Sequence, residues 1–355
     1  MRKAYLAPAM TLLSAGALAA SATSVSPAKL VTFKDWTVGC DNGLACQAVA
    51  LIPLPGIQSD QELPLAVSRG EGLAAGVVVT LTNWETKAMR YRVAIDGRTV
   101  VSGAVPTDSD FIRIEGVEAA KLARAITKGR TLELLDGGGG SLGSASLSGA
   151  SAALRYIDAA QGRAGSTGAI VATGKRKATV KRASLPVIIA PKIIPGKDLP
   201  DAGALVALSE NSPCSAERMG STEDSAYSLG KAPKGPQALI LLNCGSGAYN
   251  ASSGVYVGER DDKGKWSFAL ARFDYAATGF SDESKIPILI NADWNAATQS
   301  LSSYSKGRGL GDCGSSESYV WDGAMFRLSA ATRMDECRGS IDWIPVWRAE
   351  VRLTP

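Results

Sequence analysis

FKDWTVGCDNGLAC, residues 33–46, decides how this chain is read: alternating residues, an Asn-Gly pair and two cysteines fall within one short stretch. Trp36, Val38 and Cys40 alternate with Asp35, Thr37 and Gly39, the period of two of a half-buried strand, and Gln47 to Leu51 resumes it beyond the turn. Asn-Gly suits a hairpin because both central residues of a two-residue turn take positive φ. Parity then selects the loop. A two-residue loop at Asn42-Gly43 pairs Cys40 with Ala45 and sends Cys46 to the other face, whereas a loop of three or five residues sets Cys40 opposite Cys46. A directly opposed pair, with Cα atoms roughly 4.5 Å apart, is within disulfide reach. The stretch therefore predicts a bridged hairpin with a bulged loop and Gly43 near the left-handed conformation. The rival reading is a CxxxxxC metal clip, but zinc usually takes four ligands and this chain has no histidine to supply one.

Upstream, residues 1–20 (MRKAYLAPAMTLLSAGALAA) have a basic start, an apolar middle and small residues near Ala17-Leu18-Ala19, the pattern of a cleaved secretory signal. An uncleaved anchor is the alternative, though Pro8, Ser14 and Gly16 interrupt it. No later run reaches the roughly eighteen apolar residues of a membrane span, so the mature chain is expected not to be an integral membrane protein. Export makes periplasmic or secreted localisation the expectation and turns the six cysteines into three disulfides. Neighbourhood favours Cys40 with Cys46, Cys214 with Cys244, and Cys313 with Cys337. The absence of histidine removes serine or cysteine catalysis with a histidine base, histidine-ligated zinc and histidine pH switches.

A length of 355 residues with 45% apolar and 20% charged composition is a prior for two globular domains. The fold class expected is mainly β. Residues 30–162 carry eight short strand patterns, an Asp96-Gly97 hairpin signal and two helical patterns, Val117 to Lys128 and Ala150 to Gln161, consistent with a β-sandwich with two short helices. The glycine-rich stretch 135–144 reads as the close of the last strand. Residues 204–355 carry eight further strand patterns separated by turn signals, an antiparallel meander stapled by two disulfides.

The FxDWxVxCDN…C start, Ala152-Ala153-Leu154-Arg155 with Asp158, GRGLGDCG (307–314), Trp321, CRG (337–339), Trp343 and Trp347 resemble domain-of-unknown-function family 1176 of proteobacterial exported proteins. The first half is also loosely similar to invasion-associated locus B proteins. The resemblance spans nearly all of the mature chain and implies no activity.

Residues 163–200 differ in character, with eight basic residues against the single acid Asp198 and prolines at 186, 191, 195 and 200. They read as a basic linker. Lys175, Arg176, Lys177, Lys181 and Arg182 would attract anionic envelope components or another exported protein, nucleic acid being disfavoured by export; the competing reading is a solvated, mobile connector.

Chemistry-bearing patterns are sparse. Gly309, Gly311 and Gly314 form a GxGxxG, but the residues after it read as loop and strand rather than the helix a dinucleotide site needs, and no cofactor is expected. Two SxxK strings, Ser228–Lys231 and Ser303–Lys306, do not begin credible helices. Glu259, Asp261, Asp262, Asp274, Asp282, Glu283, Asp293 and Asp312 are candidate acids, most of them beside turns. Trp321, Trp343 and Trp347 with Arg308, Asp312 and Arg338 form the candidate binding set, an aromatic platform beside charge, against the plainer reading of core tryptophans. The function expected is a non-catalytic periplasmic or envelope-associated protein of unknown ligand. The alternatives are a carboxylate- or lysine-dependent hydrolase of envelope polymers and an inhibitor or chaperone of another exported protein.

Overall fold

The computed structural model describes residues 25–54, 62–82, 90–105, 109–180, 183–216, 223–277 and 286–354. The expected signal segment, Lys181, Arg182, Asp282 and Glu283 lie outside the described residues. The protein is mainly β with several antiparallel sheets.

In the first half the strands are Val31–Phe33 (β1), Trp36–Cys40 (β2), Cys46–Ala50 (β3), Leu65–Arg69 (β4), Val77–Thr82 (β5), Arg90–Ile95 (β6), Arg98–Ala104 (β7) and Phe111–Ile114 (β8). Helix Gly116–Ile126 (α1), strands Thr131–Asp136 (β9) and Ser141–Ser146 (β10), and helix Ala150–Ala160 (α2) follow. One sheet runs β1-β2-β3-β4-β5-β8 and the other β10-β9-β6-β7. Both sheets and both helices share one core, which Trp36, Val67, Leu81, Val93 and Leu134 enter beside Leu122, Ile126, Leu154 and Ile157. The helices exist because Ala119, Leu122, Ala123 and Ile126, and likewise Ala150, Ala153, Leu154 and Ile157, recur at the spacing that lines up one face. The glycine-rich stretch does not end the sheet; it turns β9 back into β10.

Parity is obeyed at the opening hairpin: Cys40 pairs with Cys46 and bonds to it. A three-residue loop is closed by Leu44 N–H to the Asp41 carbonyl (3.0 Å) and Asp41 N–H to the Ala45 carbonyl (2.9 Å). Leu44 (φ 67°), not Gly43, takes the left-handed position. Gly43 is needed for a different reason, since a Cβ there would sit 2.6 Å from Arg348 Nη2 and 2.8 Å from Glu71 Oε2.

The stretch expected as a linker is ordered at both ends. Arg163 is fully buried, donating to Gln161 Oε1 (3.2 Å) and to the Gly72 carbonyl. The buried Asp158 carboxylate accepts the Ile170 and Val171 N–H groups at 2.9 Å and faces Arg69 at 3.9 Å. Burial first, and then the neighbouring Arg163, bring the Arg69 guanidinium down to about 10. Composition misleads here because a buried, carbonyl-capped arginine and a surface arginine are the same letter. Lys175, Arg176 and Lys177 are exposed.

The second half contains Val187–Pro191 (β11), helix Ala202–Glu210 (α3), Ser225–Ala232 (β12), Gly235–Ser246 (β13), Ala251–Arg260 (β14), Trp266–Leu270 (β15) and Ile288–Ile290 (β16). It continues through Asp293–Asn295 (β17), Ser300–Lys306 (β18), Gly314–Trp321 (β19), Phe326–Met334 (β20), Ile344–Arg348 (β21) and Glu350–Thr354 (β22). The expected single meander is two: β12-β13-β14-β15, with β16 also on β14, and β17-β18-β19-β20-β21. A core of Leu239, Leu241, Val255, Leu301, Tyr319, Phe326 and Trp347 lies between them. Strand β11, from the supposed linker, pairs in parallel with β22.

The two halves meet on the outer face of the first sheet, where Val49, Leu51 and Ala66 pack against Met334 and Ile344. Strand β2 is therefore buried on both faces, Thr37 included, although its alternation reads as half-buried.

Candidate functional site

Most of the charged and aromatic residues singled out in the sequence meet where the halves join. The Cys313–Cys337 disulfide ties the loop before β19 to the segment after β20. Arg308 Nε donates to Asp312 Oδ1 (2.7 Å), and the Gly339 N–H donates to Asp312 Oδ2 (2.7 Å). Burial alone would raise the Asp312 pKa, but the hydrogen bonds from Arg308 and Gly339 outweigh it and hold the carboxyl below its ordinary range. Arg338 reaches into the first half, donating at 2.8 Å to Asp35 Oδ1 and to the carbonyls of Lys34 and Ile52. Arg348 pairs with Asp41 and with Glu71 (2.9 Å), and its backbone exchanges two hydrogen bonds with the Asn42 amide. The half-buried Trp343 stacks on Tyr304 with centroids 4.7 Å apart and donates its indole N–H to the Gly311 carbonyl. Trp347 sits in the core and donates to the Leu328 carbonyl. These groups satisfy one another, and the arrangement works as a clasp.

The formal motifs resolve into structure. Gly314 opens strand β19, not a helix, and a Cβ there would lie 1.9 Å from the Ser305 carbonyl oxygen, so the glycine serves close strand approach. Ser303 and Lys306 lie three apart on one strand and so face opposite ways, while the Ser303 hydroxyl is occupied by the Ile290 backbone. Ser228 and Lys231 likewise lie in a strand, β12. Asp274, pushed up by burial, accepts the Leu328 N–H and faces Arg327, bracing the crossing from the first meander to the second.

Trp321 behaves differently. It lines a groove of roughly 270 Å³ at one end of the space between the two meanders, together with Gln237, Val257, Glu259, Ser267, Phe268, Ala269, Leu270, Arg272, Gly323 and Ala324. Cross-strand register builds the wall: Gln237, Glu259 and Ser267 form one row, and Val257 with Ala269 the next. The β19–β20 turn builds the roof, held by the Asp322 carboxylate, which accepts the Ala324 and Met325 N–H groups at 2.8 Å and Arg327 Nε at 2.6 Å. Trp321 is 3% exposed, its ring against Phe326 at 5.1 Å. Trp36, Trp343 and Trp347 each give their indole N–H to a carbonyl, whereas those of Trp321, Trp294 and Trp266 find no acceptor among the described residues; of these three, Trp321 is the one on the groove. The Glu259 carboxylate and the Arg272 guanidinium, both on the groove, also have no side-chain partner among the described residues.

The family profile described as "Protein of unknown function (DUF1176)" matches residues 30–350, from the first strand through the clasp to the start of β22. The chain belongs to the DUF1176 family. A curated relative, the uncharacterized protein YpfG of Escherichia coli K12, is 25% identical over 346 residues, covering 89% of this chain and 91% of its own length. Among solved structures, the tail fiber of Staphylococcus aureus phage P68 aligns over 90% of this chain and 72% of its own at 11% identity, with a TM-score of 0.14, too low to bear on the fold.

For this DUF1176 chain, sequence reasoning named Trp321 and Glu259 but did not join them, and it missed Gln237, Ser267 and Arg272. The signal was there in part: Glu259 and Ser267 flank the Asp262-Lys263-Gly264 turn at the distance that makes them cross-strand neighbours. Gln237 and Arg272 carried no local mark.

Proposed function

We propose that this DUF1176 protein is a non-catalytic exported protein that binds a small polar ligand in the groove beneath Trp321. The observation that carries the reading is that an almost wholly buried tryptophan, a carboxylate and a guanidinium, none with a side-chain partner among the described residues, line one groove. Buried polar groups are ordinarily hydrogen-bonded, so an unused donor on an accessible wall marks a place where a ligand or water completes the set. Three disulfides suit an oxidising compartment, and among the described residues no helix is long and apolar enough to cross a membrane. The disulfides support a periplasmic or secreted location.

A hydrolase using two carboxylates needs a second acid across the cleft, and Glu259 is the one carboxylate among the described groove residues. This weighs toward binding. The test is a thermal-shift and native mass-spectrometry screen of the mature chain against small polar metabolites, repeated with Ala324→Trp, which fills the groove from its exposed rim. A ligand bound by the natural chain and lost in the filled variant is the expected result. Ligands that bind equally to both, or turnover of any of them, would overturn the reading.

A further inference from the structure

The groove's own chemistry narrows its ligand, on the premise that the groove is a binding site. Its two charges are opposite and stand apart. Glu259 is paired in register with Ser267, near the start of β15, while Arg272 lies five residues further along the same chain path, a backbone separation on the order of 16 Å. Their side chains close part of that distance but form no ion pair with each other among the described residues. A ligand that covers both must bring a counter-charge to each, because an unpaired charge taken out of water is costly. The cationic end of the ligand belongs beside Glu259, with the Gln237 amide as its cross-strand neighbour. The anionic end belongs at Arg272. The gap between the two suits a chain of two or three residues at about 3.3 Å per residue, and exceeds the span of a single amino acid.

The backbone points the same way. Ala271 N–H donates to the Val255 carbonyl, so alternate residues Ser267, Ala269 and Ala271 bond to β14. The backbone groups of Phe268 and Leu270, which also line the groove, therefore face away from β14, and among the described residues no strand pairs with β15 on that side. An open strand edge with pockets beside it is a site for strand addition. We propose that the groove takes a short peptide with both ends free, lying along β15 and parallel to it, its ammonium at Glu259 and its carboxylate at Arg272. The Trp321 N–H then has a peptide carbonyl or the terminal carboxylate to meet.

The test is calorimetric titration of the full mature chain with trialanine, N-acetyl-trialanine, trialanine amide and, for contrast, maltotriose. Trialanine binding, weakened about tenfold or more by either cap, is the expected result. Arg272→Gln should then bind the acid and the amide alike, and Glu259→Gln the free and acetylated amine alike, with unchanged unfolding midpoints. Neither loss of discrimination follows from a merely structural role. Equal binding of the capped and uncapped forms, or no trialanine binding at about 10 mM, overturns the peptide proposal. If maltotriose binds instead and Ala324→Trp blocks it, the groove reading survives its ligand assignment; if the screen finds nothing that the filled variant excludes, both fall.

Discussion

The clasp between the halves and the groove beneath Trp321 are made from the same kinds of residue, and they differ in whether those residues are satisfied. At the clasp, Asp312 is met by Arg308 and Gly339, Asp35 by Arg338, Asp41 by Arg348, and the Trp343 N–H by a carbonyl. At the groove, an indole N–H, a carboxylate and a guanidinium share a wall and none has a protein partner among the described residues. A tryptophan beside charge is therefore uninformative by type. What separates a joint from a site is the state of its hydrogen-bond ledger, because folding completes the first and leaves the second to a ligand.

The contrast breaks most sharply at the clasp's covalent tie. Replacing Cys313 and Cys337 together by serine should cost about 3.5 kcal/mol, the chain entropy released when a loop closed over 24 residues is opened, seen as a lower urea midpoint. Arg338→Ala comes next, at about 2 kcal/mol, since it strands a largely buried Asp35 and two backbone carbonyls; equilibrium unfolding checks it. A subtler sign appears on the acid side. Asp312 has a depressed folded pKa, so its contribution to stability is complete above the ordinary carboxylate value of about 4 and is lost as pH falls through the lower folded value. Urea midpoints at descending pH should fall less steeply in Asp312→Asn than in the natural chain. The smallest effect belongs to the groove: Arg272→Gln and Glu259→Gln should each shift stability by less than about 0.5 kcal/mol, as expected of side chains that hold nothing together. A loss comparable to Arg338→Ala would erase the distinction between the two regions.

Legibility followed the range of the interaction. The Cys40–Cys46 hairpin was readable because side-chain parity along a strand is strict, and five intervening residues leave few ways to oppose two cysteines. The two helices of the first half were readable from the spacing of Leu122 and Ile126 and of Leu154 and Ile157. The helix at Ala202–Glu210 was not: it is apolar around much of its circumference and presents little stripe to detect. Nor was β11, whose partner β22 lies at the far end of the sequence and whose prolines and flanking lysines imitate a linker. Gly43 was noticed for its turn propensity, yet its use is to admit Arg348 and Glu71, residues far away in the chain.

By itself the sequence determined the β character, the local cysteine neighbourhoods and the exclusion of histidine chemistry, because each rests on residue type or on contacts a few positions apart. The tertiary structure alone decided what covers the second face of β2, that Arg163 is an interior residue, and that Trp321 lies on a groove with Glu259 and Arg272. Those outcomes depend on which distant backbone arrives opposite a side chain, and a residue's identity carries no record of its neighbour across the fold.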